Sequence, residues 1–218
     1  GLGKDAPIGL TTIYLPITDE EKAEELQRKK EEDQFEEAKK ELEEIIERTP
    51  ELKEMKKSLL IDNTPEGLRI QLLDKEGLPM FPSGGAEMFD HTKRLLALVS
   101  KVIVKMPQQI SISGHTDSVP YVSKTGYSNW ELSADRANAA RRELVHAEVP
   151  FERVSKVVGK AATEPFLPED PKNARNRRLS IIMLRGTGRD KPSPSAKEES
   201  LPGLGAIRRK QLEDSKTQ

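Results

Sequence analysis

The chain predicts an α+β sandwich: a β-β-α-β-α-β-β domain with helices packed on a small mixed sheet, preceded by a long charged helix. Three observations carry this. Short stretches at 59–63, 68–72, 110–114, 154–158 and 178–185 mix apolar and polar residues with the two-residue period of half-buried strands. Two segments, around Leu95–Ile103 and Leu132–Val145, carry apolar residues at helical spacing. From Asp19 to Lys57, 26 of 39 residues are charged, which leaves too few apolar positions for a core of its own.

The elements follow in order. Thr18 stands three residues before Glu21, a capping-box signal that starts a helix. Phe35, Ala38, Leu42 and Ile45 then form one narrow apolar stripe. The plainer reading is a solvated helical linker; the sharper one is a helix that docks on a partner or pairs with a second copy. Thr49-Pro50 ends it, and a short second helix starts at Glu51. The compact part begins near Ser58, where Leu59–Asn63, the turn Thr64-Pro65-Glu66-Gly67, and Leu68, Ile70 and Leu72 make a hairpin. Ser83 is the expected cap of the next helix, which Pro107 stops. Ile110, Ile112 and Gly114 form a strand, and Trp130–Ala147 a second helix. Val154–Val158 and Arg178–Arg185 complete the sheet, joined by an irregular loop with three prolines. The expected organisation is an N-terminal segment 1–18, a charged helical linker 19–57, a domain 58–185, and a disordered tail 186–218.

Composition excludes several classes. Net charge is −1 and only nine residues are aromatic, so neither a basic surface nor stacking platforms for nucleic acid are present. Cysteine is absent, which removes disulfides and thiolate metal sites. No apolar run approaches a membrane span, and no signal peptide is visible. The chain starts at Gly1 rather than Met, so a processed product or an excised fragment is expected.

Chemistry concentrates at three element ends: Gly114-His115-Thr116-Asp117 after a strand, Leu132-Ser133-Ala134-Asp135-Arg136-Ala137 in the opening of a helix, and Asn176-Arg177-Arg178 before a strand. A carboxylate facing a guanidinium suits a zwitterion, since Asp holds an ammonium and Arg grips a carboxylate through two parallel hydrogen bonds. Taken alone, Asp117 serves equally well to cap the turn after its strand, and Arg136 to make a surface ion pair. Strand alternation sends Arg177 and Arg178 to opposite faces, so only one of them readily reaches a ligand. Ser133 reads as a helix-start cap and Trp130 as a core or hinge anchor. His91, His115 and His146 have no metal-ligand spacing, and neither a metal nor a cofactor is expected. Catalysis is disfavoured. A glycosidase would need a second carboxylate beside Asp117, for which only Glu131 and Asp135 are near in sequence, and an amidase would need a zinc site or a nucleophile–base pair.

These three motifs resemble the signature of OmpA-like peptidoglycan-binding domains over about residues 58–185. The stretches Leu60–Ile70, Met80–Gly84 and Tyr127–Ser133 are similar, more narrowly, to the periplasmic part of flagellar motor stator proteins. The 14 residues between Asp117 and Leu132 exceed the usual OmpA-like spacing and look like the stator version. The resemblance implies non-catalytic binding of the peptidoglycan stem peptide at its diaminopimelate, anchoring a motor unit to the cell wall. Asp117 would accept the ammonium and backbone donors, and Arg136 would pair with a carboxylate. Arg177 or Arg178 would meet a second carboxylate or the glycan, while Thr116, Leu132 and Asn176 would shape the pocket. It further implies a homodimer, a MotA-like channel subunit engaged through a membrane helix upstream of Gly1, and a periplasmic location on a single-pass inner-membrane protein. Residues 4–17 would fall where such proteins carry a channel plug. The alternatives within reach are another wall tether, such as an outer-membrane lipoprotein, and a wall hydrolase.

Overall fold

The computed structural model describes residues 18–123 and 126–187; the expected plug-adjacent stretch 4–17 and the tail from 188 onward lie outside the described residues. The first helix, α1 (Asp19–Arg48), starts where the capping box predicts. Thr18 Oγ1 accepts from the Glu21 N–H at 3.2 Å, and the Glu21 carboxylate accepts from the Thr18 N–H at 2.7 Å. Pro50 ends the α-helix and opens a 3-10 helix, Pro50–Ser58.

The solvated-linker reading fits only the first part of α1, which is exposed through Lys30. In the second part Phe35, Ala38, Leu42 and Ile46 are buried in one apolar cluster with Ile70, Leu96 and Ile103. Ile46 takes the place expected of Ile45 because three full turns of 3.6 residues separate it from Phe35, while Ile45 is turned partly outward. Polar contacts flank the stripe: Glu32 accepts from Asn63 at 3.1 Å, Lys105 pairs with Glu41, and the Arg185 guanidinium lies 5.2 Å from the Phe35 ring centroid. The partner of this helix is therefore the chain's own domain.

Strands β1 (Leu59–Thr64), β2 (Gly67–Leu73), β3 (Ile110–His115), β4 (Val154–Gly159) and β5 (Arg178–Leu184), with helices α2 (Asp90–Lys105) and α3 (Asn129–His146), follow the predicted order. The sheet runs β1-β2-β5-β3-β4. All neighbours are antiparallel except β3 and β4, which are parallel because α3 carries the chain back across the sheet. Alternate residues Leu68, Ile70, Leu72, Ile112, Leu179 and Ile181 enter the core shared with the helices.

Three local expectations change. Ser83 does not cap α2, which begins at Asp90. The preceding residues are held instead by the Phe89 N–H donating to the Met80 carbonyl at 3.1 Å and by Thr92 Oγ1 donating to it at 3.3 Å. Ser133 is not a cap either. Ser128 caps α3, its side chain accepting from the Trp130 N–H at 3.3 Å, with Glu131 closing the capping box. Trp130 lies in the first turn of α3 and is 54% exposed, the core being supplied from Leu132 onward.

Two glycines let α3 lie close on the sheet. A Cβ on Gly114 would sit 2.1 Å from the Ser133 carbonyl oxygen, and one on Gly159 would sit 2.7 Å from the Ala134 nitrogen. Because the first turns of α3 nearly touch β3 and β4, Leu132 and Arg136 stand over the strand ends.

Truncating Phe35, buried among large neighbours, is expected to cost about 3–5 kcal/mol, whereas Leu26→Ala on the exposed part of α1 should stay within about 0.5 kcal/mol. Urea unfolding midpoints of the two variants check this. Equal midpoints would mean that α1 does not contribute to the cooperative core.

Candidate functional site

Topology brings three chain segments together. β5 is antiparallel to both β2 and β3, and Arg178 is opposite Leu73 on one side and His115 on the other. The residue before β5, Arg177, therefore lies between the residues that follow β2 and β3. Those residues are Asp74 and Thr116-Asp117.

Arg177 bridges the two carboxylates. Its Nε donates to Asp74 Oδ2 at 2.7 Å and its Nη1 to Asp117 Oδ2 at 2.6 Å. Both acids are buried, Asp74 at 4% and Asp117 at 8% exposure. Burial pushes the Arg177 pKa down, but the two carboxylates outweigh it, so the net shift is upward and the cation is held. The remaining oxygens are also used: Asp74 Oδ1 accepts from the Met80 N–H at 2.7 Å, and Asp117 Oδ1 accepts from the Val119 N–H at 3.1 Å. Asp117 thus caps its turn and faces the cleft at once.

Arg136, in the second turn of α3, faces the same cleft from the helix side. Its Nε donates to the Gly85 carbonyl at 2.9 Å and its Nη2 to the Pro82 carbonyl at 3.2 Å, while the Phe81 ring lies 4.9 Å beneath it. Burial lowers its pKa, and Asp74 opposes that shift. Among the described residues it forms no ion pair with a carboxylate. The cleft between these groups has a volume of about 520 Å³ and is also lined by Leu132 and Thr116. Thr116 is buried, and its hydroxyl has no hydrogen-bond partner among the described residues.

The structure thus brings Thr116, Asp117, Leu132, Arg136 and Arg177 together, and does not bring Asn176 or Arg178 into the cleft. Asn176 is fully buried and braces the loop before β5: its Oδ1 accepts from the Leu167 N–H, and its Nδ2 donates to the Asp170 carbonyl, both at 2.8 Å. Arg178 emerges on the opposite face of the sheet, where its Nε donates to Gln71 Oε1 at 3.0 Å. Ser133 accepts from the Ala161 N–H at 3.0 Å and so ties α3 to the loop after β4. Asp74, Phe81 and the carbonyls of Pro82 and Gly85 are site features that sequence reading missed. For Asp74 a local signal existed: it directly follows Leu72-Leu73, the apolar end of β2.

Removing the bridging cation should leave two buried carboxylates facing each other. Arg177→Met is expected to cost about 3 kcal/mol in a urea titration. A second expectation concerns His115, which burial and then the Arg178 charge hold at a pKa of about 3, below the ordinary 6.5. The unfolded chain binds this proton and the folded one does not between those values. Stability is therefore full above about pH 6.5 and falls as pH drops towards 3, with a slope from this group of up to about 1.4 kcal/mol per pH unit. His115→Gln should lose less stability than the parent between pH 7 and pH 5, read from urea midpoints at both values.

The chain is similar to known proteins in sequence and fold. A family model described as the OmpA family matches residues 80–178. The chain is 43% identical over 162 residues to Motility protein B of Escherichia coli strain K12, an alignment covering 74% of this chain and 53% of that protein. It is 30% identical over 135 residues to Motility protein B of Bacillus subtilis strain 168, covering 61% of this chain and 51% of that one. The chain spans about half the length of the curated relatives it matches. Among solved structures, the periplasmic domain of Helicobacter pylori MotB shares the fold at a TM-score of 0.52 and 19% identity, covering 73% of this chain and 90% of that chain. The cell wall anchor of the T6SS from Pseudomonas aeruginosa shares it at a TM-score of 0.51 and 24% identity, covering 59% and 89%. Over residues 80–178, a little under half of its length, the chain matches an OmpA-family domain.

Proposed function

We propose that the cleft binds the stem peptide of peptidoglycan at its diaminopimelate residue, without catalysis, and that this tethers a flagellar stator unit to the cell wall. One observation carries the reading. Asp74, Asp117 and Arg177 together hold one net negative charge, and Arg136, with one positive charge and no carboxylate partner among the described residues, stands across the cleft from them. A group carrying both an ammonium and a carboxylate complements that pair of charges, with the ammonium at Asp117 and the carboxylate at Arg136. Thr116 and Leu132 shape the wall between them. Arg177 positions Asp117, and Asn176 fixes the loop that presents Arg177. Arg178 has no part in this cleft.

The 43% identity to Motility protein B of E. coli supports the motility setting. In this reading residues 58–185 are the wall-binding domain of a periplasmic region. Residues 19–57 lead from it towards a membrane helix that engages a MotA-like channel subunit. Charge-assisted hydrogen bonds contribute about 1.5–3 kcal/mol each, so a single cleft binds weakly. A homodimer on a polymeric wall gains affinity through effective concentration.

Co-sedimentation with purified sacculi tests the assignment. The parent chain should pellet with the wall, and Asp117→Asn and Arg136→Ala should remain in the supernatant while keeping the parent circular dichroism. Arg178→Gln, on the far face, should still pellet. Wild-type pelleting by folded Asp117→Asn and Arg136→Ala together would remove the site.

A further inference from the structure

The face of the sheet away from α2 and α3 carries a second polar concavity. Residues alternating with the core positions point there: Gln71 on β2, Ser111, Ser113 and His115 on β3, and Ser180 and Arg178 on β5. They floor a trough of about 440 Å³, rimmed by the exposed Lys156 and by Lys160.

The charges in this trough are unevenly matched. Arg69 is paired with Asp62, and Lys160 with Glu164. Among the described residues Arg178 is not paired with a carboxylate. It is only 8% exposed, its Nε donates to the neutral Gln71 side chain, and its Nη1 is buried without an acceptor. Opposite it on the neighbouring β3, His115 is 4% exposed, and its Nδ1 also lacks a partner among the described residues. Buried guanidinium and imidazole nitrogens are ordinarily satisfied, because leaving them unmade forfeits the water they gave up. The Arg178 nitrogen, a donor without an acceptor among the described residues, stands on the trough floor beside serine hydroxyls and Lys156, a place that an added acceptor would satisfy.

We propose that this trough is a second binding site, separate from the Asp117 cleft, that takes a carboxylate group on Arg178, with Lys156 and the serine hydroxyls as further donors. A guanidinium presents two parallel donors that match a planar carboxylate. Glu164 and Glu66 at the rim limit the positive charge, which favours a singly charged group over a dianion. The site does not depend on the wall-binding reading, since no residue is shared between trough and cleft.

The test is a titration of the isotopically labelled chain with sodium acetate, sodium sulfate and sodium chloride at equal ionic strength, followed by nitrogen–proton correlation spectra. Acetate should give saturable shifts at the Ser113 and Ser180 amides and the Arg178 side-chain N–H, and chloride should give none. Lys156→Gln, an exposed change that leaves the fold intact, should weaken acetate binding several-fold, and Arg178→Gln should weaken it about tenfold or more, as loss of a charge-assisted bond requires. Asp117→Asn should leave these shifts unchanged even where it abolishes pelleting with sacculi. Linear, non-saturating shifts shared by acetate and chloride would overturn the proposal. Saturation by sulfate alone would overturn it too, as would an acetate response at these amides that survives in a folded Arg178→Gln or Lys156→Gln protein at full strength.

Discussion

One guanidinium between two buried carboxylates holds the functional end of this molecule together. Arg177 joins the end of β2 to the end of β3 through Asp74 and Asp117, and Asp74 passes the constraint on to Met80 at the start of the loop over the cleft. The two acids are buried, and the half-exposed cation between them offsets their charge. Two buried acids without the cation would repel each other. Each ion thus fixes the position of the other two, and the cleft inherits their geometry. Arg136 holds the far wall in the same way with neutral partners, the carbonyls of Pro82 and Gly85.

This arrangement needs α3 close to the sheet. With a side chain at position 114 or 159 the helix would have to lift off, and Leu132 and Arg136 would retreat from the strand ends with it. The packing of the fold and the width of the cleft are therefore set by the same contacts. Ser133 reinforces them by accepting from the Ala161 N–H, a tie between helix and loop that an apolar residue of similar size could not make.

Much of this was legible in the chain because it is written in local patterns. Strand alternation gave the order of elements, and it also predicted that Arg177 and Arg178 part company at the sheet. Thr116, Asp117, Leu132 and Arg136 were visible as chemistry placed at element ends. What escaped was long-range. Asp74 acquires its role only when β5 inserts between β2 and β3, and no spacing within the sequence announces that insertion. Ser83 carried a sound local capping signal that lost to the Met80 carbonyl, which receives both Phe89 and Thr92. The stripe on α1 was visible, but its plainer reading as a solvated linker fails from Phe35 onward, because a sequence has no means of saying that the stripe's partner is the same chain.

The division of α1 into an anchored half and a bare half has a consequence for its thermodynamics. An isolated helix of this length must first form a costly nucleus, with a Zimm–Bragg parameter near 10⁻³ in model peptides. Here the segment from Phe35 to Ile46 is already helical because the core demands it. The exposed turns back to Asp19 extend from that template one residue at a time, supported by surface pairs such as Lys22 with Asp19 and by the Thr18 cap. Such turns carry little packing energy, so ionic strength acts on how far the rod reaches before it frays rather than on whether the domain is folded. The domain is in this sense a seed crystal for its own leader, and the reach of that leader is an adjustable length.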